Sequence, residues 1–210
     1  MIYRDSHGKS LDDYPRPSVA VDTAVLTVRD ALEVLVVRPD ANEAWRLPGT
    51  FLHPGERLAD AVLRSLRTKA DVDGLSPAQL HVFDDPTRDP RGWVLSVAHL
   101  DIVPARRLAV DSERTQLIPV MDAAGLAFGH DAIVAEAVAA MRDRYSATPD
   151  PAGLLEDAFR MSELHALHET VASGPIQRDG FRRAMLPLLE PTGELDLGAP
   201  GRPAQLYRRR

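Results

Sequence analysis

The sequence predicts an α/β (α+β) chain in two parts: a mixed sheet flanked by helices, then a small helical unit that ends in a strand. Three observations carry this reading. Before residue 146, runs rich in Val and Leu alternate with segments of helical period. A Pro-bearing break, Ser146-Ala147-Thr148-Pro149-Asp150-Pro151, then interrupts the chain. Beyond it, short helical patterns follow one another before a last strand-like stretch. The expected boundaries are a flexible tail at 1–14, a first domain at 15–146, a linker at 147–152 and a second domain at 153–210.

The elements follow in order. Ser18 to Val28 and Leu32 to Val37, separated by Arg29-Asp30-Ala31, read as two strands of a hairpin. Pro48-Gly49 and Pro54-Gly55 bracket a short connection. Leu58, Ala61, Val62, Leu66 and Ala70 then mark one face of a helix. Strand signal returns at 80–83 and 93–103, on either side of the Pro/Asp/Gly-rich loop DDPTRDPRG. A second helix is expected over 131–144, with Asp131 as its N-cap. The C-terminal part suggests helices at 153–160, 162–172 and 177–186, and a strand near 204–207.

Bulk properties limit the function classes. With 44% apolar and 27% charged residues in 210, the chain can bury a core and is not disordered as a whole. No apolar run approaches the roughly 18–20 residues that a membrane helix needs, which makes the cytoplasm the expected compartment. The absence of Cys removes disulfides, thiolate nucleophiles and thiolate metal sites. A net charge of −6 argues mildly against nucleic-acid binding, but the charge is uneven. From Gly174 to Arg210 seven arginines stand against four acids, so this end is basic while the rest is acidic.

The segment from Thr50 to Val72 resembles the Nudix box, whose pattern is G, five residues, E, seven residues, then R-E-U-x-E-E-x-G-U with U aliphatic. The preceding RLPGTFLHPGE resembles that family's usual entry into the box. In this register Thr50 replaces the first Gly, Glu56 and Arg64 match, and Leu66 and Val72 fill aliphatic positions. The mismatches fall on the chemistry, because Ser65, Thr68 and Lys69 stand where the family has glutamates. At i, i+3 and i+4 on a helix, three carboxylates share a face and hold Mg²⁺, which polarises a pyrophosphate. Ser and Thr are weak neutral ligands and a Lys ammonium repels the cation. The expectation is therefore no catalytic residue, no bound metal, no cofactor and no hydrolysis.

Outside the box, Tyr14-Pro15-Arg16-Pro17-Ser18-Val19-Ala20-Val21-Asp22 and Asp85-Pro86-Thr87-Arg88-Asp89-Pro90-Arg91-Gly92-Trp93 resemble the NrtR-type Nudix-related transcriptional regulators. That resemblance covers nearly the whole chain from Tyr14. It implies a Nudix-like sensor of ADP-ribose or a related nucleotide, a C-terminal winged helix-turn-helix, a homodimer, and repression of NAD-related genes. Candidate effector contacts are Arg46, Arg64, Arg88 and Arg91, whose guanidinium groups suit phosphate, with Glu56 beside them. Trp45, Phe51 and Trp93 are candidate stacking surfaces for a base. Arg88 and Arg91 equally suit pairing with Asp84, Asp85 or Asp89 to fix the loop, and the aromatics equally suit the core.

In the third C-terminal helix, Phe181, Ala184, Met185 and Leu188 repeat at helical spacing and suggest a buried stripe. Gln177 sits near its start, Arg178 and Arg182 form an i, i+4 pair on the opposite side, and Arg183 flanks them. A recognition helix places such N-terminal residues at base edges in the major groove. The following segment, from Leu189 to Glu194 and from Gly198 to Arg208, resembles the NrtR-type wing and adds Arg202 and Arg208 to the candidate DNA contacts. The acidic run Glu194-Leu195-Asp196-Leu197 is a departure that weakens the expected grip on phosphate. His165 and His168 lie three apart without a third ligand, which fits partial burial better than a metal site. Two other readings compete: a Nudix hydrolase of nucleoside diphosphate derivatives with metal ligands outside the box, and a ligand-binding adaptor that has lost DNA affinity.

Overall fold

A computed structural model describes residues 3–108, 112–196 and 203–210. Residues 3–14 are mostly exposed and held by local bonds, among them the Ser10 amide and hydroxyl donating to Asp13 at 2.7 and 2.9 Å. Then follow β1 (Ser18–Val28), β2 (Leu32–Val37), β3 (Gly49–Phe51), α1 (Leu58–Ala70), β4 (Ala78–Phe83), β5 (Val94–Ile102), β6 (Thr115–Pro119) and α2 (His130–Ala147). The strands form one mixed sheet in the order β4-β5-β1-β2-β6, with β3 pairing β1 beyond the end of β2. β1 runs parallel to β5 over nine residue pairs, from Ser18↔Val94 to Leu26↔Ile102, and antiparallel to β2.

Both faces of the sheet are covered over β1 and β2, which is why these strands read as almost unbroken apolar runs. Alternation sorts their side chains. Val21, Val25, Leu35 and Val37 pack under α1 against Ala61, Val62 and Leu66. Ala24, Leu26, Val34 and Val36 face α2 and meet Ile133, Ala137 and Met141. Helix α1 ends at Asp71, which adopts a left-handed conformation (φ 54°) where the Nudix pattern has glycine. Asp is among the few non-glycine residues that take this conformation at modest cost. The start of α2 differs from expectation. Its N-cap is Gly129 at φ 66°, and Asp131 instead accepts the Gly125 amide at 3.1 Å, fixing the preceding loop.

The C-terminal unit comprises β7 (Phe159–Arg160), α3 (Met161–Ala172), α4 (Arg178–Met185), β8 (Leu189–Asp196) and β9 (Ala204–Arg209), the strands ordered β7-β9-β8. This is a winged helix-turn-helix. Its core is Phe159, Leu164, Phe181, Met185, Leu189 and Tyr207. The helix expected at 153–160 does not form. Gly153 turns at φ 64°, and Phe159–Arg160 are extended, pairing with Tyr207 and Leu206. The expected stripe on α4 is also shorter than predicted. Phe181 and Met185 are buried, but Ala184 and Leu188 are exposed, because the chain tightens into a 3₁₀ turn at Leu186–Leu188 around Pro187.

The segment joining the two units is packed. Helix α2 continues through residue 147, and Pro149 and Asp150 are buried. The Asp150 carboxylate accepts the Tyr145 hydroxyl (2.9 Å), the amides of Leu154 (2.9 Å) and Leu155 (3.0 Å), and Arg209 Nη1 (2.7 Å). Burial, then the Asp150 charge, pushes the Tyr145 hydroxyl well above its usual range and keeps it a donor. Nearby, Arg142 of α2 donates to the Val171 carbonyl (3.0 Å) and the Ser173 hydroxyl (2.8 Å) at the end of α3. His165 and His168 donate to the carbonyls of Ile176 and Pro149 and stack edge-on against Phe181, so packing accounts for both. Leu167 and Val171 of α3 belong to the same apolar cluster as α2 and the sheet. Among the described residues no helix is long and apolar enough to cross a membrane.

Removing Arg209 leaves a fully buried carboxylate with only neutral donors. Arg209→Ala is expected to lower the unfolding free energy by about 2–4 kcal/mol, somewhat less than for a fully buried pair because Arg209 is partly exposed and three neutral donors remain on Asp150. Urea denaturation checks this; an unchanged midpoint would show that the pair is dispensable.

Candidate functional site

A cleft opens near the start of β1 where β3, the start of α2 and the 85–93 loop converge. Its floor is Asp22, only 6% exposed. Ser96 donates to Asp22 Oδ2 at 2.5 Å, and His130 Nε2 lies 3.3 Å from Oδ1. The Leu47 amide donates to His130 Nδ1 at 2.9 Å, so Nε2 carries the ring proton toward Asp22. Burial works to raise the Asp22 carboxyl, but the bonds from His130 and Ser96 and the nearby Arg88 charge hold it below its usual range. Gly49 is required here. A Cβ at that position would lie 1.8 Å from Asp22 Oδ1 and 2.9 Å from the Val21 carbonyl oxygen.

The walls are cationic. Arg46, Lys69, Arg88 and Arg91 all line the cleft, with Phe51 and Phe128 between them. Arg91 is bound by two contacts to buried Asp89 (2.9 and 2.7 Å) and its guanidinium lies 4.2 Å from the Phe128 ring centroid and 5.0 Å from that of Phe51. This pair holds the Asp89 carboxyl below its usual range. Arg88 Nη2 donates to the Phe128 carbonyl at 3.2 Å, and Arg46 pairs with Glu43 and approaches the Phe128 ring. Loop fixing and cleft lining are therefore both true of Arg88 and Arg91. Phe128 reaches the cleft because it and Gly129 are consecutive left-handed residues (φ 61° and 66°), which turn the chain sharply before α2.

The box residues take separate directions. Ser65 points into the core and is fully buried. Thr68 turns back on its own helix, donating to the Arg64 carbonyl at 2.8 Å. Lys69 alone of the three extends to the cleft, where Nζ donates to the Gly49 carbonyl. Burial, then the neighbouring Arg46, draws its pKa below the usual lysine range. Glu56 and Arg64 do not line the cleft. Arg64 grips Glu56 through two bonds of 2.8 Å and also binds Thr50 Oγ1 (3.1 Å) and the Phe51 carbonyl (3.0 Å). The Arg64 bonds, with the His53 amide, hold the Glu56 carboxyl at about 2. The pair braces the connection that carries Phe51. Trp45 lies under Arg38 (4.4 Å) against the core, and Trp93 is half exposed and outside the cleft.

Sequence reasoning missed Asp22, Phe128 and His130 as cleft residues and took Lys69 only as a metal repellent. The pattern around the box held the one usable signal, since Lys69 occupies a position that faces the ligand in a functional box.

The second surface is the outer face of α4. Gln177 caps the helix, its side chain accepting the Gly180 amide, so its carbonyl oxygen is engaged locally. Arg178, Arg182 and Arg183 are exposed, and among the described residues none of them forms an ion pair. Ser173, left-handed at φ 57°, and Gly174, whose amide donates to the Glu169 carbonyl, make the tight turn from α3. On the wing, Arg208 pairs with Glu190 at 3.0 Å, and Asp196 lies 3.3 Å from Arg160 at the start of α3. Glu190 and Asp196 thus neutralise cations within the unit, whereas Glu194 is exposed and forms no ion pair among the described residues. Arg202 lies outside the described residues.

Comparison with known proteins finds relatives of both units. The family described as the NrtR DNA-binding winged helix domain matches residues 151–209. The chain is similar to the ADPR responsive transcriptional repressor NtrR of Acinetobacter baylyi, at 28% identity over 209 residues, covering 93% of this chain and 83% of that protein. It is similar to Shewanella oneidensis NrtR, at 30% identity with 91% and 94% of the two chains covered and a TM-score of 0.71. Against that protein complexed with a 27mer DNA the TM-score is 0.74 at 29% identity, covering 91% and 93% of the chains. Its Nudix domain complexed with ADP-ribose matches at 26% identity and a TM-score of 0.54, covering 66% of this chain and 95% of that one. An ADP-ribose pyrophosphatase of Methanocaldococcus jannaschii is 28% identical over 123 residues, covering 58% of this chain and 73% of that protein.

The contact between Gly49 and Asp22 makes a sharp test of the cleft floor. Gly49→Ala should destabilise the chain by about 3 kcal/mol or more, since neither the buried carboxylate nor the β1 backbone has room to yield. A thermal melt of the variant matching that of the parent chain would show that the two strands are less closely apposed.

Proposed function

The chain belongs to the NrtR family, and from that premise we propose that it is a DNA-binding transcriptional repressor whose Nudix-like domain senses ADP-ribose or a related nucleotide without hydrolysing it. The observation that carries this reading is the separation of two cationic surfaces on one chain. One is a walled cleft of Arg46, Lys69, Arg88 and Arg91; the other is the arginine face of α4, whose Arg178, Arg182 and Arg183 form no ion pair among the described residues. The first suits a compact phosphate ester, and the second suits a duplex backbone and the edges of its bases. Loss of hydrolysis follows from Ser65, Thr68 and Lys69, none of which offers a carboxylate to a metal.

In this reading the protein acts as a homodimer on a pseudo-palindromic site and controls genes of NAD metabolism. Effector binding changes the spacing or orientation of the two α4 helices and so alters operator affinity. Arg178 and Arg182 read bases or phosphates, Arg183 supports them, and Gln177 presents its amide NH₂ while its oxygen caps the helix. Arg208 contributes less than its charge suggests, because Glu190 already occupies it. The similar repressor, the DNA complex and the ADP-ribose complex support repression, DNA and ADP-ribose.

A mobility-shift assay on DNA upstream of the chain's own operon, with and without ADP-ribose, tests the proposal. Specific retardation is expected, with Arg178→Ala and Arg182→Ala each costing about 1–3 kcal/mol. No specific binding at low salt under either condition would sink it. Incubation with ADP-ribose and Mg²⁺ or Mn²⁺ should give no turnover above background; brisk, metal-dependent cleavage would return the chain to the hydrolases.

A further inference from the structure

The carboxylates around the cleft do not suit a divalent cation. Asp22 accepts from Ser96 and faces His130, Asp89 is gripped at both oxygens by Arg91, and Glu56 is gripped by Arg64 and the His53 amide. Among the described residues no group of three His, Asp or Glu side chains could hold a metal ion. Magnesium demands a near-octahedral oxygen shell, and a lysine at the edge of that shell opposes its charge. Four cationic side chains line the cleft; Arg91 is paired with Asp89 and Arg46 with Glu43, while Lys69 and Arg88 form no ion pair among the described residues. Lys69 is drawn partly out of water there with no carboxylate in ion-pair contact among the described residues; its Nζ bonds to the neutral Gly49 carbonyl, and Asp22 acts on it only from beyond contact. Such a site is short of negative charge, and an arriving anion relieves the deficit.

Building on the nucleotide-sensing reading, we propose that the Lys69 ammonium takes the place of the metal ion, so that the cleft binds a pyrophosphate group directly and metal-free. Arg46, Arg88 and Arg91 complete the anion's surroundings, and Phe51 and Phe128 close the sides. Lys69 is then a positive ligand gained at the box, and the lost glutamates are replaced in function by a fixed charge of opposite sign. The tether to the Gly49 carbonyl places that charge over the floor of the cleft before the ligand arrives, which lowers the ordering cost of binding. Because the cation belongs to the chain, effector affinity does not follow the free Mg²⁺ concentration.

Calorimetric titration of the full chain with ADP-ribose and with inorganic pyrophosphate tests this. ADP-ribose should bind in EDTA and in Mg²⁺ with Kd values agreeing within about twofold, and pyrophosphate should bind in EDTA. Lys69→Met, which keeps the apolar stem, should weaken both ligands in EDTA by about 10–100-fold, while Lys69→Arg keeps most of the affinity. Mobility shifts and thermal melts of the variants, expected to match the parent chain, show that folding and DNA binding are intact; the metal comparison on the unaltered chain needs no variant. ADP-ribose binding that requires Mg²⁺, or that survives Lys69→Met unchanged, overturns the metal-free site and leaves nucleotide sensing standing. Pyrophosphate binding through Lys69 without ADP-ribose binding overturns the effector and leaves the anion site. If neither ligand binds, both ideas fall.

Discussion

Asp150 is a carboxylate with no exposed surface on its side chain, placed where the sensing unit ends and the reading unit begins. It collects a hydroxyl from α2, two amides from the following turn and a guanidinium from β9. A charge so buried is tolerable only while all its partners are in place. The constraint therefore propagates in both directions. Tyr145 fixes the end of α2, Leu154 and Leu155 fix the entry to β7, and Arg209 fixes the strand that carries the wing. Arg142, clasping the end of α3 from the same helix, adds a second tie. With Leu167 and Val171 sharing the sensor's core, a displacement of α2 must be felt by α3, and α3 positions α4.

Helix α2 also begins at the cleft. His130, its first residue, meets Asp22 on the cleft floor, and Tyr145 near its far end meets Asp150. One helix thus has a polar contact with the ligand site at its start and with the junction at its end. The packed interior between them, Ile133, Ala137 and Met141 against the sheet, leaves little slack to absorb a shift. The charge layout is economical in the same way. Acids that look unhelpful for binding anions are committed internally: Asp89 to Arg91, Glu56 to Arg64, Glu190 to Arg208 and Asp196 to Arg160. What remains at the cleft wall and on α4 includes Lys69, Arg88, Arg178, Arg182 and Arg183, with Asp179 and Glu194 as the exposed acids left beside the DNA-facing surface.

Much of this was legible in the sequence, for identifiable reasons. The β1–β2 hairpin shows because both faces of the sheet are covered and its connection is short. Helix α1 shows because its buried face keeps a strict period. Strands β3 and β6 went unread because they are short and bear mixed side chains. The false helix at 153–160 had helical composition, but Asp150 captures its first amides and Phe159 is needed in the core of the winged helix. At the cleft, the arginines were legible through a family motif, whereas the Glu56–Arg64 clasp was not, since both residues match the motif whichever way they point. The direction taken by Lys69 depends on β3 lying beside α1, a contact that no local pattern encodes. Asp150 was hidden for the same reason: its guanidinium partner lies 59 positions away.

The parallel ladder between β1 and β5 bears on how the molecule is made. Its first pair, Ser18 with Val94, brings together residues 76 positions apart, and the ladder is the central seam of the sheet. The intervening chain, including α1 and the box, must be synthesised and held loosely before that seam can close. Loop-closure entropy makes such pairings slow compared with local helices and hairpins. The β1–β2 hairpin can assemble early, leaving the β5-facing edge of β1 with its backbone groups unpaired. Until β5 docks, that unpaired edge is a liability for pairing with other chains.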